Sequence, residues 1–288
     1  MMDRRLTAFN GRVAHVSLRG QVAADRFVEG ERYRVVCPVA DMLAKPDGGR
    51  DRQLLRGEGV RVLDLQDSMA FGFAEQDGYV GWMAAAALIA TPDAAETHRV
   101  SAAQSYGKST PGLKAMGRIT PLSLGTKLTV LDVVDGWARA DWSRGTAPQD
   151  IFVPSQHLAP IDTQDSDPVA VAERLVGSPY LWGGDSSFGI DCSGLVQIAM
   201  HACGQTCPRD SDMQEALGRA LPPGTPPQRG DLLFWKGHVA WVADPDTILH
   251  ANAHAMAVAY EPINQAVARI EKQGDGPVIR HARLSSSL

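Results

Sequence analysis

The chain has 288 residues, 44% of them apolar, with 28 glycines and a formal net charge of −5, enough for about two globular domains. The negative balance and the lack of any basic run exclude a nucleic-acid surface, which needs Lys and Arg clustered on phosphates. The longest apolar stretch, Trp82 to Ala90, has nine residues, about half of a membrane span.

The first segment, Met1 to Leu18, carries Arg4, Arg5 and Arg12 without a continuous apolar core or a small-residue cleavage pattern, so no secretory signal is expected there. Residues 30 to 160 hold a weak internal repeat. Gly57-Glu58-Gly59-Val60-Arg61-Val62-Leu63-Asp64 aligns with Gly125-Thr126-Lys127-Leu128-Thr129-Val130-Leu131-Asp132, and Tyr79-Val80-Gly81-Trp82 with Ile151-Phe152-Val153-Pro154. Short alternating strands joined by Asp77-Gly78 and Asp135-Gly136 turns predict small all-β barrels. The expected division is an extension over 1–29, barrels over 30–92 and 93–160, and a third domain over 161–288.

An acidic, Pro-bounded linker follows, Pro160 to Pro168. A short helix is expected over Val169–Leu175, closed by Gly177 and Pro179. Then comes Pro179-Tyr180-Leu181-Trp182-Gly183-Gly184, followed by Gly189-Ile190-Asp191-Cys192-Ser193-Gly194-Leu195-Val196. The Gly-rich approach turns into a periodic apolar run at Cys192, so a helix is expected over Ser193–Cys203 with the sulfur at its start. Helix N–H groups and the dipole favour a thiolate there. Strands are expected over Asp231–Phe234, His238–Ala243, Thr247–Ala251 and Ala257–Tyr260, giving an α+β fold. Other histidines (His15, His98, His157 and His281) lack supporting context and read as surface residues.

A thiolate needs an imidazole neighbour to become a managed nucleophile. His238, in Gly237-His238-Val239, is placed to be the base, and His250, twelve residues on, to orient it by accepting from its far ring nitrogen. Asn252 and His254 are alternatives for the orienting role. Four cysteines with one claimed by catalysis leave an odd number, which argues against a disulfide framework. His201, Cys203 and Cys207 lack a fourth ligand for a metal, so the remaining thiols read as structural, no metal or cofactor is expected, and a reducing compartment, the cytoplasm, is favoured over the periplasm.

These pieces, together with Arg229-Gly-Asp-Leu-Leu-Phe-Trp235, resemble the NlpC-type cell-wall cysteine peptidases, a papain-like family that cleaves peptidoglycan stem peptides. The resemblance covers residues 168 to about 262. It implies a nucleophile helix on an antiparallel sheet, preceded by two Src-homology-3-like barrels. It also implies an oxyanion site made by the Cys192 N–H and Tyr180, and substrate contacts from Asp191, Ser193, Arg209, Asp210 and Ser211. In relatives that pair the peptidase with such barrels, a barrel carboxylate and tyrosine meet the free amine of an N-terminal L-Ala. Glu58 and Tyr79 match those segments. Trp241 and Ala243 stand where smaller residues or glycine are common, and are expected to reshape one wall of the pocket. The implied activity is hydrolysis of the γ-D-glutamyl–diaminopimelate bond of murein stem peptides, in recycling of imported fragments. The alternatives are a wall-peptide-binding module with a vestigial catalytic domain, or a cysteine amidase or acyltransferase acting on another substrate.

Overall fold

The computed structural model describes residues 2–90, 95–143 and 149–284. The chain divides into two compact units, Met1–Thr163 and Gln164–Leu288. The expected boundary between the two barrels, at residues 92 and 93, lies outside the described residues.

The first unit is built from strands. A seven-stranded antiparallel sheet contains Glu31–Val35, Val39–Leu43, Arg50–Leu55, Gly59–Gln66, Met69–Ala74, Val80–Ala84 and Leu88–Ala90. A five-stranded and a three-stranded sheet use the strands between His98 and Pro160. The internal repeat has a structural counterpart. Val80–Ala84 runs through a 3-10 turn into Leu88–Ala90, and Asp150–Pro154 runs through another into Leu158–Pro160. The Asp135-Gly136 turn joins Val130–Val134 to Trp137–Asp141, with φ of 49° and 79°. Positive φ at both central residues matches the twist of the flanking strands, and Asp-Gly is among the few pairs that tolerate it.

The N-terminal segment is not a free extension. Ala8 and Val13 are buried with Leu63, Phe71, Val80 and Trp82, and Arg12 pairs with Asp64 at 2.6 Å. Alternation in the first sheet leaves one apolar face, and these residues help to cover it. The second core gathers Val100, Leu122, Leu128, Ala140, Trp142, Ile151 and Val153.

Among the described residues, the second unit has four α-helices and a six-stranded antiparallel sheet. The strands run, in spatial order, Arg219–Ala220, Arg280–Arg283, Asp231–Trp235, His238–Asp244, Thr247–Asn252 and Ala257–Pro262. The helices are α1 (Pro168–Glu173), α2 (Cys192–Ala202), α3 (Ser211–Gln214) and α4 (Ile263–Gln273). Asp167 caps α1, accepting from the Val169 N–H at 2.9 Å, with Pro168 in the first turn. Proline fits there because its missing N–H would have no partner in the helix. One face of the sheet (Leu233, Trp235, Ala240, Val242, Ile248) closes on Ala266 and Ile270 of α4. Helix α2 packs on the strands His238–Asp244 and Thr247–Asn252.

Candidate active site

The start of α2 is held by a buried polar network. Asp191 is the N-cap, its Oδ1 accepting from the Gly194 N–H at 2.7 Å, which satisfies one of the orphan donors of the first turn. Its other oxygen accepts from the Gly183 N–H at 2.8 Å. Arg209, with 0% of its side chain exposed, donates to Asp185 at 2.9 Å, to both oxygens of Asp191 at 3.0 and 2.9 Å, to Ser193 Oγ at 2.7 Å and to the Gly184 carbonyl at 3.2 Å. Burial opposes the guanidinium charge, and Asp185 and Asp191 more than offset it, so its pKa lies well above the ordinary arginine value. Gly194 is required here by space. A Cβ at that position would lie 2.6 Å from the Gly184 carbonyl and 2.8 Å from Asp185.

The network gives several of the residues singled out in the sequence a structural role. Arg209 does not line a substrate surface, because its guanidinium is spent beneath the helix. Asp191 and Ser193 are buried in the same network, bracing the backbone on either side of Cys192. Asp210 and Ser211 are half-buried at the start of α3. Gln214, which the sequence did not single out, is fully buried and donates to the Ser193 carbonyl and the Pro208 carbonyl, each at 2.9 Å. It ties α3 to the nucleophile helix.

Cys192 is the first residue of α2 and 8% exposed. The Val239 backbone N–H reaches its sulfur, so the thiol sits beside the start of the strand that carries His238. Burial, with Asp191 adding to it, pushes the thiol up to about 12. The resting group is therefore a thiol, contrary to the thiolate expected from the helix start. Desolvation outweighs the helix N–H groups because the sulfur is covered. Tyr180 is pushed up to about 12 as well, by burial first and then by the nearby Cys192 and Asp191, and so keeps its proton as a donor.

His238 Nε2 lies 2.8 Å from His250 Nδ1, and the Trp235 ring packs on His238 at 5.7 Å between centroids. His250 is completely buried. Its Nε2 lies 3.0 Å from Glu261 Oε2, and Glu261 in turn accepts from Arg269 at 2.9 and 2.7 Å. Burial, reinforced by His250 and Arg269, brings His238 down to about 3. Burial also brings His250 down to about 4, against the pull of Glu261. Both imidazoles are neutral at neutral pH. Glu261 and Arg269 escaped the sequence reading because only strand register and α4 bring them to His250. Asn252 Oδ1 instead accepts from the Ala255 N–H at 2.7 Å, and it is His250 that lies within hydrogen-bond reach of His238.

These histidines make stability fall with acid. In the unfolded chain a histidine takes up a proton near pH 6.5, whereas folded His250 resists until about 4. The unfolded state thus binds more protons between those values, and stability drops as pH falls through that window. For His250 the full effect is on the order of 3 kcal/mol. Thermal melts at pH 7.5, 6 and 5 are expected to show a steady decline that His250→Asn flattens.

Other expectations need correction. Trp241 is fully buried and Ala243 5% exposed, so both belong to the core and not to a pocket wall. His15, His98, His157 and His281 are half-buried and partnered, His281 against Asp231 at 2.7 Å and His157 against Ser105 at 2.8 Å. Cys207 is buried, and Cys37 and Cys203 are half-buried. Among the described residues no group of His, Cys, Asp and Glu forms a metal site.

Glu58 and Tyr79 belong to the first unit. Glu58 closes the turn between Arg50–Leu55 and Gly59–Gln66, its Oε2 accepting from the Leu55 N–H at 2.7 Å. Tyr79 is buried, with the Arg52 guanidinium 5.6 Å from its ring centre and Arg52 paired to Asp77.

Residues 177–271 match the NlpC/P60 family, and residues 42–88, which include Glu58 and Tyr79, match the bacterial dipeptidyl-peptidase Sh3 domain. A γ-D-glutamyl-L-lysine dipeptidyl-peptidase of Bacillus cereus is 34% identical over 39% of this chain and 36% of its own length. The protein of the same name from Bacillus subtilis is 31% identical over 55% of this chain and 52% of its own. The chain thus spans between a third and about half of these relatives. A crystal structure of an NlpC/P60 family protein from Bacillus cereus superposes with a TM-score of 0.74 at 21% identity, over 88% of this chain and 99% of that one, a likeness of fold. The chain carries a domain of the NlpC/P60 family, preceded by a bacterial dipeptidyl-peptidase Sh3 domain.

Proposed function

We propose that the protein is a cysteine endopeptidase that hydrolyses the γ-D-glutamyl–diamino acid bond of murein peptides with a free N-terminal L-Ala, in cytoplasmic recycling of wall fragments. The observation that carries this reading is the joint placement of Cys192 at the start of α2, with the Val239 N–H on its sulfur, and His238 held by His250 at 2.8 Å.

In this mechanism the Cys192 proton passes to His238 Nδ1 as the sulfur attacks the scissile carbonyl carbon. The Cys192 N–H and the protonated Tyr180 hydroxyl donate to the developing oxyanion. When the C–N bond breaks, the leaving amine takes the proton from His238. Water then hydrolyses the thioester, giving a proton to His238 as it attacks and returning the thiol. Burial suits a neutral pair of this kind, since charge appears only in the substrate-bound transition state.

The relatives' names specify L-lysine after γ-D-glutamate, so the diamino acid is the open variable of the proposal. Glu58 and Tyr79 are assigned to the free amine. An anionic side chain there rewards an ammonium and penalises a blocked nitrogen, which favours fragments already released from the glycan. The test is mass-spectrometric digestion of L-Ala-γ-D-Glu peptides ending in meso-diaminopimelate or L-lysine, each also in N-acetylmuramoyl form. Wild-type protein is expected to cleave only the free-amine peptides, and Glu58→Ala to reduce that discrimination at least tenfold. Equal cleavage of free and blocked forms by wild type would remove amine selection. Transfer to an added acceptor would favour an acyltransferase, and bound but uncut peptide a vestigial site.

A further inference from the structure

We propose that Glu261, clamped by Arg269, sets the tautomers of both histidines, so that Cys192 is served by a relay running His238, His250, Glu261, Arg269. This rests on the reading of Cys192 and His238 as the reacting pair. The acceptor at the far end of the relay has a fixed role. Glu261 is an anion, its carboxyl kept below the ordinary glutamate range chiefly by hydrogen bonds from Arg269, and a carboxylate can only accept.

The 3.0 Å contact therefore requires His250 to carry its proton on Nε2. A neutral imidazole has one N–H, so His250 Nδ1 must be an acceptor. The 2.8 Å contact then requires His238 to donate from Nε2. That leaves His238 Nδ1 with a lone pair, the atom the mechanism needs to receive the thiol proton. Each tautomer follows from the one before it, and the first follows from the carboxylate.

The fold makes this arrangement rigid. His250 pairs with Ala259 and Ile248 with Glu261 across two neighbouring strands, which puts Glu261 diagonal to His250 on one face of the sheet. Arg269 reaches Glu261 from α4 with two hydrogen bonds and is itself tied to Gln273 at 2.8 Å. The ion pair also limits how strongly Glu261 can draw a second proton onto His250. The charged and titratable groups around His250 are His238, Glu261, Arg269 and His254. Glu261 is thus a positioning residue, acting on the thiol through two rings.

The test uses the full chain with Glu261→Ala and Glu261→Gln. Three readouts are taken: nitrogen-15 imidazole shifts and couplings, the rate of iodoacetamide alkylation at the Cys192 peptide across pH 6 to 9, and kcat and KM on the free-amine peptide. In wild type both His238 and His250 should be protonated on Nε2. Glu261→Ala should mix the tautomers, slow alkylation at pH 7 about 10- to 100-fold, and lower kcat by a similar factor with KM within about twofold. Glu261→Gln keeps an acceptor facing His250, so it should retain the tautomers and lose less. A merely structural role would instead shift melting temperature without this ordering. Unchanged tautomers and alkylation in folded Glu261→Ala would overturn the relay. If wild type cleaves no peptide while the tautomers and alkylation behave as described, the peptidase reading fails and the relay stands.

Discussion

Arg209→Met is expected to lower the melting temperature by roughly 10–20 °C, as followed by calorimetry at pH 7. The substitution keeps most of the buried volume, so the loss does not come from a cavity. It comes from two carboxylates, Asp185 and Asp191, whose side chains are each 10% exposed and which would remain inside without their cation. Removing one partner of a buried ion pair typically costs about 3–5 kcal/mol, because the other charge stays desolvated and unpaired. That is a large fraction of the roughly 5–15 kcal/mol holding a domain together. The Gly184 carbonyl and Ser193 Oγ also lose a donor. Two controls separate this account from general damage. Lowering the pH to 5 should shrink the difference between Arg209→Met and wild type, since the stranded carboxylates can then take up protons. Adding Asp185→Asn to Arg209→Met should recover part of the loss. A drop under about 3 °C would mean that the network contributes little to stability.

Some of the site was legible in local sequence and some could not have been. Cys192, His238 and His250 stand out because the chemistry needs those residue types in a Gly-rich turn and at two strand positions, features confined to a few residues each. The repeat in the first unit was legible for the same reason, through Asp-Gly turns and short alternating strands. Its closure into barrels was not shown by the sheets, which are seven-stranded in one part and five- and three-stranded in the other.

What local sequence could not carry is burial and pairing at a distance. The helix start at Cys192 was visible, and it argued for a thiolate. The cover over the sulfur was not, and desolvation reverses the direction. Arg209 sits in a motif that suggested contact with substrate, yet the four residues that accept its five hydrogen bonds lie 16 to 25 residues away in sequence. Glu261 and Arg269 have no spacing that marks them, because one is next to last in a strand and the other lies in the second turn of α4. The packing of Ala8 and Val13 into the first core was equally invisible, since a short polar segment gives no period to read.

Cys192→Ala and His238→Ala are each expected to lower kcat on the free-amine peptide by about 10⁴-fold or more, and the double variant to be no worse than either alone. The non-additivity follows from the shared step. Without the sulfur there is no covalent bond for the imidazole to assist, and without the imidazole a thiol held near 12 by burial has nowhere to send its proton. Each variant therefore removes the same event. The residual rate comes from binding and from donors at the oxyanion, which neither substitution touches. His250→Ala acts through His238 alone, so its loss should be smaller and visible mainly in kcat. Because His238 is held near 3, the acid limb of kcat/KM, which reports the free enzyme, should lie well below pH 6.5 wherever the protein remains folded. Losses that multiply in the double variant would show that Cys192 and His238 act in separate steps, and the site would then have to be rebuilt around a different base.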